Sequence, residues 1–578
     1  MAFRILTHGI LAQGGVDVSF ISVWKTTTPL ESFTLPIVSA GTYDFIVDWG
    51  DGSERNHITA WDEAEATHIY TTPGNYTIKM EGLATRIDTY QNSNRDKLQE
   101  ITNFGKIGMI NCDQSFQECS NLTIAQSALS GDFSTVTNAV EMFRQCGNLN
   151  YIPLLDTSNV TTMQSMFNRC DLLEVPLLDT SKATTMQAMF YNNSNLQEIP
   201  LFNTSNVLDM RHMFRNCSSL ESVPLFDTSK VTSMYETFEN CNSLTTIPQF
   251  DTSSVLDFKG MFTSCDSLTT VSALDTSNAY TLLQMFTQCV NLVDVPTLDI
   301  SNSNSLGGTF QNCSKLTEIT LTGTASNLTN MEGTFYGCMD LETVDFPTDT
   351  SNLTSLYRTF LNCRELKSVP EFDSSSVTDY RETFWQCTSI TGVHQLDISS
   401  ATSLFRLFYN CQNLQELPNF NTSHITNMSQ MFYSCRSLTT VPHYDTSNVT
   451  DMQQFFSGCQ SLTTIPHFDI SSMTTNMIEF FRNCSDLVSI PSFDVSHVTN
   501  FTGMFMACDS LEVGTLSGTA YDISYEGCSL PTAEIENIFN GLATVSGMTI
   551  NVATNPGTAS LTPTQIAIAT GKGWTVAT

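Results

Sequence analysis

Charge is scarce in this chain, and positive charge scarcer still. Only 14% of its 578 residues are charged, and 24 basic residues stand against 58 acidic ones, a formal net charge of −34. A surface this acidic repels phosphate backbones, so no nucleic acid is expected as a partner. There is no apolar run of about eighteen residues, the length a membrane-spanning helix needs, and no membrane insertion is expected. The opening MAFRILTHGILAQGGVDVSF has neither a continuous apolar core nor a small-residue cleavage site, so no export signal is read there. Catalytic and metal signatures are missing too. No G-x-x-x-x-G-K, G-x-S-x-G or H-E-x-x-H occurs, and GDG at Gly50–Gly52 is a turn former, not a phosphate loop. The nearest cysteines are Cys112 and Cys119, too far apart for a zinc knuckle. No enzyme activity, metal or cofactor is expected.

What fills the chain instead is a repeat. A Cys returns about every 24 residues, three places after a Phe: Phe143 and Cys146, Phe167 and Cys170, Phe214 and Cys217, Phe238 and Cys241, Phe262 and Cys265, Phe432 and Cys435, and on to Phe505 and Cys508. Seventeen Phe from Phe116 to Phe505 hold this place, counting one unit in which Asn193 replaces the Cys. A period of this length means stacked coils that bury one another's apolar faces. The consensus is L-T-T-I-P-x-F-D-T-S-x-V-T-x-M-x-x-M-F-x-x-C-x-S. L-x-x-I reads as a short strand, and V-x-x-M-x-x-M-F has helical spacing, with Asp-Thr-Ser before it as N-cap chemistry. The expected fold is an α/β solenoid of strand–helix coils carrying one long parallel sheet, preceded by a small all-β sandwich.

The organisation read from the chain is a leader or attachment segment at 1–17, the β-sandwich at 18–83, a transition with the first capping coil at 84–118, the solenoid at 119–515 and atypical capping units at 516–578. Strands are expected at Phe20–Trp24, Phe33–Val38, Tyr43–Trp49 and Tyr76–Met80. Towards the end, Leu530–Leu542 and LTPTQIAIATGKG read as helices, and MTINVAT and WTVAT as strands.

Four sets of residues are candidates for something beyond packing. The cysteines stack with parallel Cα–Cβ bonds, poor geometry for bridges, so they read as buried free thiols forming a ladder with the Phe column. Asn193 in that column implies hydrogen-bond donation to a neighbouring coil. Twelve Asp align in the D-T-S column (Asp156, Asp179, Asp227, Asp251, Asp275, Asp299, Asp349, Asp373, Asp397, Asp445, Asp469, Asp494), with Asn203 and Asn421 in two more places. They read as closing local turns, with weak Ca²⁺ binding as the alternative. His443 and His467 share one place in adjacent coils, and His394 sits one residue earlier in its own; without a carboxylate or Cys partner they read as exposed variable positions. Four threonine pairs, Thr245 and Thr246, Thr269 and Thr270, Thr439 and Thr440, and Thr463 and Thr464, would lie on the exposed strand face. That face is the first expectation for a binding surface.

The repeat resembles that of the BspA-type leucine-rich repeat surface proteins, a match over roughly 70% of the chain; FNTSHITNMSQMFYSCRSLTTVP is nearly the pure motif. VDWGDGS and ATHIYTTPGNYTIKM resemble a PKD-type domain. With no export signal read, the combination resembles proteins of bacteriophage particles. That resemblance implies a non-enzymatic virion surface protein, of tail-fibre or receptor-binding type, mediating host attachment through its solenoid. Its partners would be other virion proteins through the N-terminal region and a host cell-surface protein or glycan. The alternatives are a structural decoration or spacer and a bacterial cell-surface adhesin.

Overall fold

The computed structural model describes residues 18–128, 131–393, 396–473 and 476–578. The expected attachment segment at 1–17 and His394 lie outside them. The chain divides into two compact units, one ending at Asn278 and the other beginning at Ala279.

The first unit opens with alternating apolar strands. They are β1 (Phe20–Thr26), β2 (Glu31–Thr34), β3 (Tyr43–Asp48), β4 (Asn56–Ile58), β5 (Thr67–Tyr70), β6 (Gly74–Ala84), β7 (Leu98–Asn103) and β8 (Thr123–Ile124). Six form one sheet in the order β4-β3-β6-β1-β7-β8, and β2 pairs with β5. Trp24, Phe33, Trp49 and Tyr70 are buried, with the Phe33 ring 4.9 Å from that of Trp24. A separate sandwich ending at residue 83 is not what forms. β1 pairs with β6 on one side and β7 on the other, so the sheet runs past that boundary, and β7 pairs in parallel with β8 of the coils.

The coils that follow are not strand–helix units, the main correction to the sequence reading. The V-x-x-M-x-x-M-F-x-x-C segment is a chain of turns. In the coil of Phe143, the N–H groups of Ala139, Glu141, Phe143 and Gln145 donate to the carbonyls of Thr162, Gln164, Met166 and Asn168 in the next coil at 3.1, 2.9, 2.9 and 2.7 Å. The alternate N–H groups of Met142, Arg144 and Cys146 close turns on Ala139, Glu141 and Phe143 at 3.4, 3.1 and 3.2 Å. Every backbone donor from 139 to 146 except that of Val140 is thus paired along or within the stack, and Val140 donates to the Asn138 side chain at 2.9 Å.

Two residues per coil make this geometry possible by adopting a left-handed φ, one before Met-Phe and one before Cys. Glu141 (54°) and Gln145 (62°), His212 (58°) and Asn216 (62°), and Arg406 (54°) and Asn410 (58°) are examples. A helix admits no such residues, and a segment this short cannot hold one on propensity alone. Among the described residues, α-helix occurs only at α1 (Thr532–Gly541) and α2 (Pro563–Thr570).

Among the described residues one long parallel sheet does not form either. Parallel pairing between coils is mostly single bridges, such as Asn138–Thr162–Thr185–Asp209–Ser233–Asp257 in the first unit. In L-x-x-I-P the proline removes a ladder donor and the D-T-S turn follows at once. The threonine pairs therefore do not lie on strands. Thr245, Thr246, Thr269, Thr439, Thr440 and Thr463 have no ladder pairing, and Thr270 and Thr464 make single bridges, that of Thr464 to Ser489. In the second unit short parallel strands appear: β9 (Leu298–Asp299), β10 (Glu318–Thr322) and β11 (Thr343–Asp345) in one group, β12 (Phe493–Asp494) with β13 (Leu516–Ser517) in another. Its end is a strand–helix pair of units, with β14 (Ile523–Ser524), β15 (Thr549–Asn551) and β16 (Thr575–Ala577) in one parallel sheet. Thr562 caps α2 with a reciprocal box to Gln565.

Candidate recognition face

Inside each coil the chemistry of the sequence is spent on stacking. The Phe rings lie face to face, Phe143–Phe167 at 5.7 Å and Phe310–Phe335 at 5.6 Å between centroids. Such pairs add about 0.5–1.5 kcal/mol each beyond burial. All eighteen cysteines are buried free thiols. Along the ladder the thiols donate back to the preceding coil's Phe carbonyl: Cys170 to Phe143, Cys217 to Phe190, Cys241 to Phe214, Cys265 to Phe238 and Cys435 to Phe408, all at 3.0–3.1 Å. Burial drives the thiol pKa values up, to about 12 for Cys217, so the column is chemically inert. Asn193 does more than a thiol. Its Nδ2 donates to the Phe167 and Phe190 carbonyls at 2.8 and 2.9 Å, and its Oδ1 accepts from the Leu172 N–H at 3.3 Å.

The D-T-S column is occupied in the same way. Asp251 Oδ1 accepts from the Ser253 N–H at 3.1 Å and its hydroxyl at 2.7 Å. These bonds hold the carboxyls of Asp179, Asp227, Asp251, Asp445 and Asp469 below the usual range, the Ser hydroxyl contributing most. Where a Thr follows the Asp it is buried, and it can donate onward, Thr228 to the Asp251 carbonyl at 2.7 Å and Thr446 to that of Asp469 at 2.6 Å. Among the described residues no three His, Cys, Asp or Glu are grouped to hold a metal ion.

The first expected binding surface is exposed but carries little structure. Thr245 and Thr246, Thr269 and Thr270, Thr439 and Thr440, and Thr463 and Thr464 all face solvent. Their backbone pairing is sparse; the Thr269 N–H reaches the Thr245 carbonyl at 3.3 Å. With no continuous strand beneath them, Thr246, Thr270, Thr440 and Thr464 do not form the flat hydroxyl ribbon that the sequence suggested. His443 and His467 are both exposed, and the His467 ring lies 5.6 Å from that of Phe493.

A different face carries concentrated side chains. It consists of three columns on the turns, M-x, the left-handed residue after it, and the residue after Phe. In the first unit they hold Arg211, His212, Arg215, Tyr235, Glu236 and Glu239. Arg215 pairs with both glutamates, its second bond reaching Glu239 at 3.1 Å, and His212 Nδ1 lies 3.2 Å from Glu236. Burial and the adjacent Glu236 push Glu239 up to about 7. In the second unit the same columns hold Tyr336, Tyr357, Arg358, Arg381, Trp385, Phe405, Arg406, Tyr409 and Tyr433. Trp385, Tyr409 and Tyr433 follow one another at ring distances of 4.9 and 4.4 Å. Arg381 lies 5.0 Å from the Tyr357 ring, and Arg406 lies 4.6–5.6 Å from Phe405, Trp385 and Tyr409. Glu382, almost wholly buried, accepts from Arg358 at 2.6 Å and from Arg406 at 3.4 Å. The sequence reading missed these residues because a helix was placed there. Their signal was visible as the x positions of M-x-x-M-F-x, which change between copies while the letters around them do not.

The fold and this face define a class, a protein of stacked turn-rich coils with an inert interior and a variable outer face. The chain belongs to the family described as "Mycoplasma protein of unknown function, DUF285", whose model matches residues 110–224, 219–323, 304–417 and 402–517. No curated protein matches it. Among solved structures it is similar to a leucine-rich cell surface protein from Faecalibacterium prausnitzii, with 20% identity, 62% of this chain and 84% of that one covered, and a TM-score of 0.27. It is also similar to a leucine-rich-repeat protein from Eubacterium ventriosum, with 18% identity, 69% and 93% covered, and a TM-score of 0.28. A third is the functional domain of InlJ from Listeria monocytogenes, which includes a cysteine ladder, with 13% identity, 79% and 75% covered, and a TM-score of 0.18.

Proposed function

We propose that the chain is a non-enzymatic recognition scaffold acting in attachment at a bacterial cell surface, an adhesin-type role in which the coils present side chains to a cell-surface protein or glycan. The observation that carries this reading is the division of labour within each coil. Cys, Phe and Thr are committed to stacking and Asp to closing its own turn, while the aromatic and arginine side chains stand in columns that the stack does not need to keep constant. The family description names a cellular organism, which favours the cell-surface reading over the virion expected from the sequence.

The test is labelling of intact cells with an antibody to the chain, together with binding of the purified chain to candidate partner cells. Label on unpermeabilised cells and saturable binding support the proposal. Label that appears only after permeabilisation, or only on phage particles, overturns it.

A further inference from the structure

The second unit's turn face contains a shallow cleft of about 620 Å³ whose lining includes Thr378, Asp379, Arg381, Ser403, Phe405 and Asn427. We propose that this cleft binds a neutral saccharide; the inference rests on the recognition role above and names its ligand class.

One wall is the half-buried Phe405 ring, held by the Arg406 guanidinium 4.6 Å from its centroid. A fixed aromatic wall offers apolar surface at little entropy cost, as the C–H face of a sugar ring requires. The other groups are planar or hydroxylic. Arg381 and Asp379 form a two-bond fork, Nε to Oδ1 at 3.0 Å and a terminal nitrogen to Oδ2 at 2.7 Å, so the pair adds no net charge. The fork also fixes both planes, leaving the outer guanidinium N–H groups as donors and the carboxylate's remaining lone pairs as acceptors for adjacent hydroxyls. Asn427 commits its Oδ1 to the Ser429 N–H at 2.9 Å and the Ser429 hydroxyl at 2.8 Å, which leaves its NH₂ group as a donor. The Ser403 Oγ accepts from the Phe405 N–H at 3.3 Å, which leaves its proton for a ligand.

The combination of one apolar wall, paired donors and acceptors, and no net charge fits a polyol ring. An acidic peptide or anionic polymer would want unpaired cations, and the one arginine of the lining, Arg381, already meets Asp379, while Arg358 and Arg406 outside the lining share the single carboxylate of Glu382. Turn-forming bonds supply the rigidity, since Asp379 Oδ1 also accepts from the Arg381 N–H at 3.1 Å. Such preorganisation lowers the cost of binding.

The test uses the full chain and a panel of neutral hexasaccharides (glucan, mannan, galactan, N-acetylglucosamine) with oligogalacturonate as the acidic comparison, read by calorimetry. At least one neutral oligosaccharide should bind, with affinity little changed between low and high salt. Phe405→Ala and, independently, Arg381→Ala should each weaken it by about tenfold or more, with thermal melts showing that the variants fold. Binding of oligogalacturonate alone, lost in salt, overturns the proposal in favour of an anionic ligand. No binding by any neutral oligosaccharide, or binding unchanged in Arg381→Ala, also overturns it. The two levels separate in a cell-binding assay. A chain that binds cells, is not displaced by the oligosaccharides and survives both substitutions keeps its recognition role and loses this ligand. A chain that binds no cells loses the recognition role.

Discussion

Replacing Cys241 by Ala, and separately Asn193 by Ala, sets a ranking that only the ladder explains. The Cys241 thiol is buried and donates to the Phe214 carbonyl at 3.1 Å. Its removal forfeits one weak hydrogen bond, and the Phe214 carbonyl keeps the Cys217 N–H at 3.0 Å. Adding the methyl-sized void gives a loss of about 2 kcal/mol. Asn193 makes two donor bonds and one acceptor bond, all buried, and its truncation strands the Leu172 N–H, a loss of about 3 kcal/mol. In a unit of this size 1 kcal/mol moves the melting temperature by about 2–4 °C. Cys241→Ala should therefore cost several degrees and Asn193→Ala visibly more. Because stacked coils are coupled mainly to their neighbours, hydrogen exchange should rise in the coils flanking each substitution and not throughout the chain. Equal losses, the reverse order, or uniform loss of protection would refute the hydrogen-bonded ladder.

The left-handed positions give a second test: Asn483, at φ 60°, should tolerate Gly at little cost, whereas Asn483→Val should lose about 1–2 kcal/mol in denaturant titrations; indifference to Val would contradict the turn geometry. Glu239 has its pKa raised from 4.5 to about 7, so its proton is bound more tightly in the folded state. Its favourable contribution is complete below about pH 4.5 and fades as pH rises to about 7. Glu239→Gln should flatten the fall in melting temperature across that window, and an unaltered slope would be against it. The D-T-S carboxyls have the opposite sign. Their pKa values lie below the ordinary 3.8, so their contribution is present above that value and disappears as pH falls through the lowered ones. Ser253→Ala should make the melting temperature less sensitive to pH below about 4; the same acid slope in the variant would remove the Ser–Asp bonds from the account.

The repeat and its buried columns were legible because Phe, Cys, Leu and Val recur at one spacing and each must be covered by its neighbour. The conformation of the turn segment was not. Val160, Met163, Met166 and Phe167 fit one face of a helix, but they are also buried in a coil that turns back at Ser165 (φ 54°) and Arg169 (φ 59°). Hydrophobic spacing cannot separate these. The residue before the Cys column could have: Asn192 (before Asn193), Asn216, Asn240, Asn312, Asn362, Asn410 and Asn483, with Gly337 and Gly458, hold a place that tolerates positive φ. The high Thr, Ser and Asn content is explained by the same geometry, since Thr161, Thr232 and Thr450 use their hydroxyls to bind the preceding coil's backbone at 3.1 Å. The face with Thr246, Thr270, Thr440 and Thr464 reads as the binding surface because solenoids recruit partners on a sheet face; with no continuous strand beneath these residues that ground falls away, and the turn columns carry Trp385, Phe405 and Tyr409 instead.

The most direct measurement is a thiol count with an aromatic disulfide reagent, made without reductant, before and after unfolding. Native protein should show almost no rapid reaction, and all eighteen cysteines should titrate once denatured. Fewer than eighteen after denaturation, or prompt labelling of the native chain, would contradict a stack built on inert, hydrogen-bonded thiols.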